Sequence, residues 1–191
     1  MKGHKQVYFL TSNKAKFREA MAVAAMSGVR LRMLATRKVE IQSDSLQTIA
    51  SYAAEEAANR LTVPVVTEDA GLFVDELNGF PGPYSSDVFK RLGIRAILKL
   101  MENVVNRKAS FHSVVAFSQP PSRPKCFRGT VAGRISLDPR GAGGFGFDPI
   151  FIPDEGDGRT FAEMTDEEKN RISHRSSSFR KLSRWLSTLH A

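Results

Sequence analysis

Leu46, Ile49, Ala50, Ala53, Ala54, Ala57, Ala58 and Leu61 recur every three to four residues, which predicts an amphipathic helix over this stretch. A solid apolar run, Val63 to Thr67, follows at once and ends at Glu68-Asp69, as a buried strand would. The same alternation occurs earlier. Val7 to Leu10 reads as a buried strand, Thr11-Ser12-Asn13 as a helix start, Lys14 to Ala25 as a helix, and Gly28 as its stop. Val29, Leu31 and Met33 then alternate with Arg30, Arg32 and Leu34, as in a strand. Downstream, Gly71 to Pro83 reads as a loop, and Ile94, Ile97, Leu98 and Met101 mark a helix. Ser110–Ser118 and Lys125–Ser136 read as strands joined by the turn Gln119–Pro124. A glycine-punctuated loop precedes a strand at Ile150–Ile152, and Phe179, Leu182, Trp185, Leu186 and Leu189 stripe a last helix. Strands and helices interleaved in this way predict an α/β fold with a mixed sheet.

The chain has 191 residues, which suits a single domain, and neither a repeat nor a low-complexity linker interrupts it. No apolar run approaches the roughly 20 residues that span a bilayer. The start, with its short apolar segment, reads as a buried strand rather than a signal peptide. A single cysteine, Cys126, excludes an intrachain disulfide and a cysteine-built zinc site, and makes a reducing cytoplasm the expected compartment. The net charge of +8 attracts polyanions, nucleic acid and nucleoside polyphosphates alike. The basic residues are spread along the chain, densest around Arg171, Arg175, Arg180, Lys181 and Arg184, and most of them read as a solvated surface.

Four segments depart from a plain core-and-surface pattern. Thr11-Ser12-Asn13-Lys14-Ala15-Lys16 passes from a strand into a helix start, where backbone N–H groups favour an anion and two lysines add charge. The glycines and the GK ending of a Walker loop are absent, and a simple N-cap with exposed lysines fits as well. Glu68-Asp69, before Ala70-Gly71, places adjacent carboxylates at the carboxyl end of a strand, where α/β proteins form ligand sites. Neighbours in a strand point to opposite faces, so one of the two can serve a site while the other is structural. Carboxylates beside phosphate suggest Mg²⁺, with Glu40 as a second acidic candidate; taken alone, Glu40 fits surface solvation better. In Gly143-Gly144-Phe145-Gly146-Phe147-Asp148-Pro149, the aromatics fit a stacking face for a base and core packing equally well, with Asp148 as an acceptor. Finally, Lys169, His174 and Arg175 could hold phosphates or base oxygens. His4, His112 and His190 show no metal-ligand spacing with His174.

Together these segments resemble the inosine triphosphate pyrophosphatase family. The pattern T-G-N-x-x-K-x-x-E stands here as Thr11 to Glu19. E-D-S/T-G-L, with a downstream P-G-x-Y-S, stands as Glu68 to Leu72 and Pro81 to Ser85. G-F-G-Y/W/F-D-P-x-F stands as Gly144 to Phe151, and A-E-M/L-x-x-x-E-K-x-x-x-S-H-R as Ala162 to Arg175. The match runs in order from about Val7 to Trp185. It implies one elongated domain over residues 1–191, in which a long mixed sheet flanked by helices carries two lobes around an active-site cleft. It implies Mg²⁺-dependent hydrolysis of deaminated purine nucleoside triphosphates (ITP, dITP, XTP) to the monophosphate and pyrophosphate by a cytoplasmic homodimer, without a membrane or nucleic-acid partner. By the same resemblance, Thr11, Ser12, Asn13, Lys14, Ala15 and Lys16 are the triphosphate loop. Glu40 and Asp69 are metal ligands, and Asp69 is also the proton acceptor for water. Ala70 and Phe145, Gly146, Phe147 and Asp148 belong to the substrate site, with Phe145 as the stacking face. Lys169, His174 and Arg175 are the remaining contacts.

Three positions depart from the family pattern. Ser12 replaces a glycine, Ala70 replaces a hydroxyl residue, and Ala53 stands where a lysine is usual. Two rival functions are a Maf-like nucleotide pyrophosphatase of other base preference, which the motif set disfavours, and a basic nucleic-acid-binding module. The second leaves Glu40 and Asp69 without a purpose, because carboxylates repel a phosphate backbone.

Overall fold

A computed structural model of the chain describes residues 6–188. Leu189, the end of the predicted C-terminal stripe, and His4 and His190 lie outside the described residues. Six strands form one mixed sheet in the order β2-β1-β3-β4-β5-β6. Strand β1 is Gln6–Leu10, β2 Arg30–Leu34, β3 Val65–Val74, β4 Lys108–Gln119, β5 Ser122–Ile135 and β6 Phe151–Pro153. The helices are α1 Lys14–Ala25, α2 Leu46–Leu61, α3 Ser85–Leu100, α4 Asp166–Ile172 and α5 His174–Thr188. β1 runs parallel to β2, with Val7 opposite Leu31, and parallel to β3, with Phe9 opposite Val66. β6 closes the other edge antiparallel to β5, with Arg134 opposite Ile152. The expected α/β class with a mixed sheet is the observed one. No helix among the described residues is long and apolar enough to cross a membrane.

Local chemistry sets the element ends. The Asn13 carboxamide oxygen accepts the N–H groups of Ala15 at 2.9 Å and Lys16 at 3.1 Å, which starts α1. Ser45 caps α2 through the Thr48 N–H at 3.2 Å, and Thr62 ends it in the left-handed region at φ 54°. The alanines of α2 are fully buried, Ala53 among them, so that position faces the interior.

The structure corrects three boundaries. β3 does not stop at Asp69 but continues through Gly71 to Val74, where a loop is expected from the sequence. Gly71 serves close approach rather than a turn: a Cβ there would lie 2.1 Å from the Gly82 carbonyl oxygen. α3 begins at Ser85, nine residues before the first apolar marker, and is broken at Gly93 (φ 69°, ψ −172°), which hides its period. The charged stretch after Thr165 forms α4, started by a capping box in which Thr165 accepts from the Glu168 N–H and Glu168 accepts from the Thr165 N–H.

The chain divides into two compact units, whose boundaries fall within β3, β4 and β5 and at the start of α5. The first takes the described residues of Met1–Asp69, Ser113–Gly129 and Arg175–Ala191; the second takes Ala70–His112 and Thr130–His174. The first unit is built on Val7, Phe9, Val23, Val66, Phe117, Phe179 and Leu182. The second is built on Leu72, Ile97, Met101, Phe111, Ile135, Phe151 and Phe161.

Candidate active site

Within β3, the consecutive carboxylates Glu68 and Asp69 of the first unit meet different surroundings, as strand alternation requires. The Glu68 side chain is fully buried and lies between two cations. Lys16 Nζ is 2.8 Å from Oε2, and Arg175 Nε donates to Oε1 at 3.1 Å. The Ser113 hydroxyl donates to Oε1 at 3.0 Å. Arg175, buried at the start of α5, also donates from Nη1 to Glu19 Oε2 at 2.6 Å. Such a buried network is satisfied only as a whole, and removing one partner leaves an uncompensated charge. Glu68 is the residue the motif reading placed in a pattern without giving it a role. Adjacency to Asp69, with alternation, was the signal for it.

Asp69 is half-buried, and its Oδ2 is shut off from solvent with no hydrogen-bond partner among the described residues. Burial pushes its carboxyl up from the ordinary 3.8 to about 6. Lys38 and Lys16 oppose the rise, and the negative charges of Glu68 and Glu40 add to it. Glu40 lies on the irregular segment after β2, with its Oε1 2.8 Å from Lys38 Nζ. The same ammonium donates to the Glu68 backbone carbonyl at 3.4 Å. Lys38 escaped the motif reading. It stands two residues before Glu40 in the chain.

The helix-start loop is laid out otherwise than a backbone anion cradle. Asn13 occupies the N–H groups of Ala15 and Lys16, and Thr11 Oγ1 accepts from the Asn13 N–H at 3.1 Å. Ser12, Asn13 and Lys14 are exposed. The charge this loop offers therefore resides in its lysines.

In the second unit, the two aromatics of the glycine loop part company. Phe147 is a core residue, packed edge-on to Phe89 with centroids 5.6 Å apart. Phe145 stays half-buried with the Lys169 ammonium 4.7 Å from its ring centre. Asp148 is buried and pins the loop: its Oδ2 accepts the Phe145 N–H and the Lys169 ammonium, each at 2.7 Å. Gly144, at φ 67°, allows this, since a Cβ there would fall 2.2 Å from Asp148 Oδ2. Asp148 is thus a loop-shaping acceptor rather than one held open. Gly146 also has a positive φ, 64°. The His174 ring lies flat on Phe111, 4.7 Å between centroids and 9° between planes. Ala70 is half-buried and follows Asp69 directly in β3.

No group of three or more His, Cys, Asp or Glu residues among the described ones is arranged to hold a metal by itself. The donor chemistry fits a hard cation that completes its shell elsewhere. Glu40 and Asp69 offer carboxylate oxygens only, and Asp69 Oδ2 is a buried acceptor that lacks a donor. Mg²⁺ is commonly held by one or two carboxylates, with water and substrate phosphate filling the rest.

Residues 7–185 match the Ham1 family. The dITP/XTP pyrophosphatase of Hyperthermus butylicus is 51% identical over 180 residues, 94% of each chain. That of Methanopyrus kandleri is 48% identical over 180 residues, covering 94% of this chain and 95% of the relative. Among solved structures, the Ham1 protein of Staphylococcus aureus superposes with a TM-score of 0.83 at 28% identity, covering 97% of this chain and all of that one. The nucleoside-triphosphatase / dITP/XTP pyrophosphatase of Mycobacterium abscessus does so with a TM-score of 0.74 at 32% identity, again over 97% of this chain and all of that one. With the Glu68–Asp69 pair, the helix-start lysines and the glycine loop inside the matched span, the chain belongs to the Ham1 family.

Proposed function

We propose that this protein hydrolyses deaminated purine nucleoside triphosphates, dITP, XTP and ITP, to the monophosphate and pyrophosphate. The observation that carries this reading is Asp69: a carboxylate with an unpartnered, solvent-shielded oxygen, flanked by Lys16 and Lys38. The names of the relatives at about half identity point to the same substrates. Glu40 and Asp69 would hold Mg²⁺, which would supply charge neutralisation for the phosphoryl oxygens. Lys14 and Lys16 engage the polyphosphate by charge. Asp69 accepts the proton of the attacking water. Glu19 and Glu68 fix the Arg175 guanidinium, whose N–H fork, together with His174, donates to the purine 6-oxygen. Phe145 stacks on the base. The enzyme works as a cytoplasmic homodimer, which light scattering on the purified protein checks.

The test is a panel of nucleoside triphosphates with Mg²⁺, scoring pyrophosphate against orthophosphate. Pyrophosphate from ITP, XTP and dITP is expected. Orthophosphate and a diphosphate as the main products would refute cleavage between the α and β phosphates, and comparable turnover of pyrimidine substrates would favour a Maf-like preference.

A further inference from the structure

Around Asp69 the first unit gathers four carboxylates, Glu19, Glu40, Glu68 and Asp69, and the cations Lys16, Lys38 and Arg175. The three cations are held very differently. Arg175 is bound to two carboxylates, one of them fully buried. Lys16 is bound to Glu68, whose side chain has no exposure. Lys38 alone pairs with an open carboxylate: the Glu40 side chain is 63% exposed, whereas that of Lys38 is 17% exposed. An ion pair with a solvated partner is worth little, and the partner loses nothing by returning to water. The second contact of Lys38, from Nζ to the Glu68 carbonyl at 3.4 Å, is long, and the same ammonium is close enough to Asp69 to act on its charge.

We infer that Lys38 is a polyphosphate-binding residue of this site: its ammonium leaves Glu40 when the nucleotide arrives and donates to phosphate oxygens, while Glu40 is freed for the cation. The inference rests on the placement of the polyphosphate beside Asp69 and Lys16 proposed above. Exchange of one weak partner for a multiply charged one needs only rotation about the side-chain bonds. A Lys38 that serves only to neutralise Glu40 would instead compete with the metal and contribute nothing to phosphate affinity.

The experiment separates these roles. Inorganic pyrophosphate binding is measured by calorimetry on the full chain in chelator, so that no metal takes part, for wild type, Lys38→Met, Lys38→Arg and Lys16→Met, with circular dichroism to show that each is folded. Lys38→Met is expected to weaken binding about tenfold, and Lys38→Arg, which keeps the charge, less than about threefold. With Mg²⁺ and ITP, Lys38→Met raises KM by a similar factor and changes kcat less. If Lys16→Met weakens pyrophosphate binding and Lys38→Met leaves it at the wild-type value, Lys38 only neutralises Glu40 and the inference fails. If neither variant weakens binding, the placement of the polyphosphate fails with it. Should Lys38→Met not fold, a Lys38→Arg protein that binds pyrophosphate more than about tenfold worse than wild type overturns the charge-based role equally.

Discussion

Asp69→Asn separates what Asp69 does for turnover from what it costs the fold. Burial raises its carboxyl from 3.8 to about 6, so the folded protein holds the charged form at a disadvantage. A rise of this size corresponds to about 3 kcal/mol at most, and screening at a half-buried position reduces it to roughly 1–2 kcal/mol. The folded-state value lies above the unfolded one. The stability is therefore fully present below pH 4 and is lost as the pH climbs through 6. Asparagine has no charge to bury, so at pH 8 the variant is expected to melt roughly 2–8 °C above wild type in chelator, and the gap should close by pH 4. Turnover of ITP should fall by about 10²–10⁴, because the variant has neither a proton acceptor nor a charged metal ligand. Adding Mg²⁺ should raise the melting temperature of wild type and leave the variant unmoved. Differential scanning calorimetry at the two pH values and a pyrophosphate-release assay suffice. A variant that is less stable than wild type at pH 8, or that keeps a tenth of wild-type turnover, would refute the account of Asp69 as a buried, destabilised base.

Gly71→Ala should lose about 3 kcal/mol or more, because the added methyl meets the Gly82 carbonyl at 2.1 Å and neither backbone can retreat; thermal melting reads it. Lys169→Met leaves Asp148 charged and buried and should cost about 3–5 kcal/mol. The double variant Asp148→Asn with Lys169→Met should recover part of that, and equal stability of single and double variants would show that the pair is not coupled. In kcat/KM, ITP and XTP should stand well above GTP, and GTP at or above ATP, since adenine brings a donor where the site offers donors. Arg175→Lys keeps a charge for Glu19 and Glu68 but loses the planar fork, so it should narrow the ITP-to-ATP ratio. Equal losses on both substrates would place Arg175 away from the base.

Elements with uninterrupted periodicity were read correctly from the sequence. α1 and α2 have the predicted ends because Asn13, Ser45 and Thr62 act locally as caps and stops. β3 was cut short because Gly71 signals a turn in sequence, whereas here it is a point of contact between two backbones, a fact of tertiary structure. The front half of α3 was lost because Gly93 breaks its register. Asp69 was singled out as an acidic residue following an apolar run, and Glu40 only by the family resemblance, since alone it reads as a solvated surface residue. The buried role of Glu68 was not, since it depends on Arg175 and Ser113, which reach it from far along the chain. Phe145 and Phe147 look alike as residues, and only packing sends one into the core and leaves the other beside Lys169.

The Asn13 cap has a bearing on the medium in which the protein works. With the amides of Ala15 and Lys16 already committed to it, the helix start meets an anion mainly through flexible ammonium groups. Fixed amide donors grip by direction and are little affected by dissolved ions, whereas ammonium groups attract over distance and are screened within about 8 Å at physiological ionic strength. Substrate capture should therefore weaken steeply as potassium chloride is added, with KM rising while kcat holds, so the ambient salt level sets how low a concentration of nucleotide the enzyme can clear.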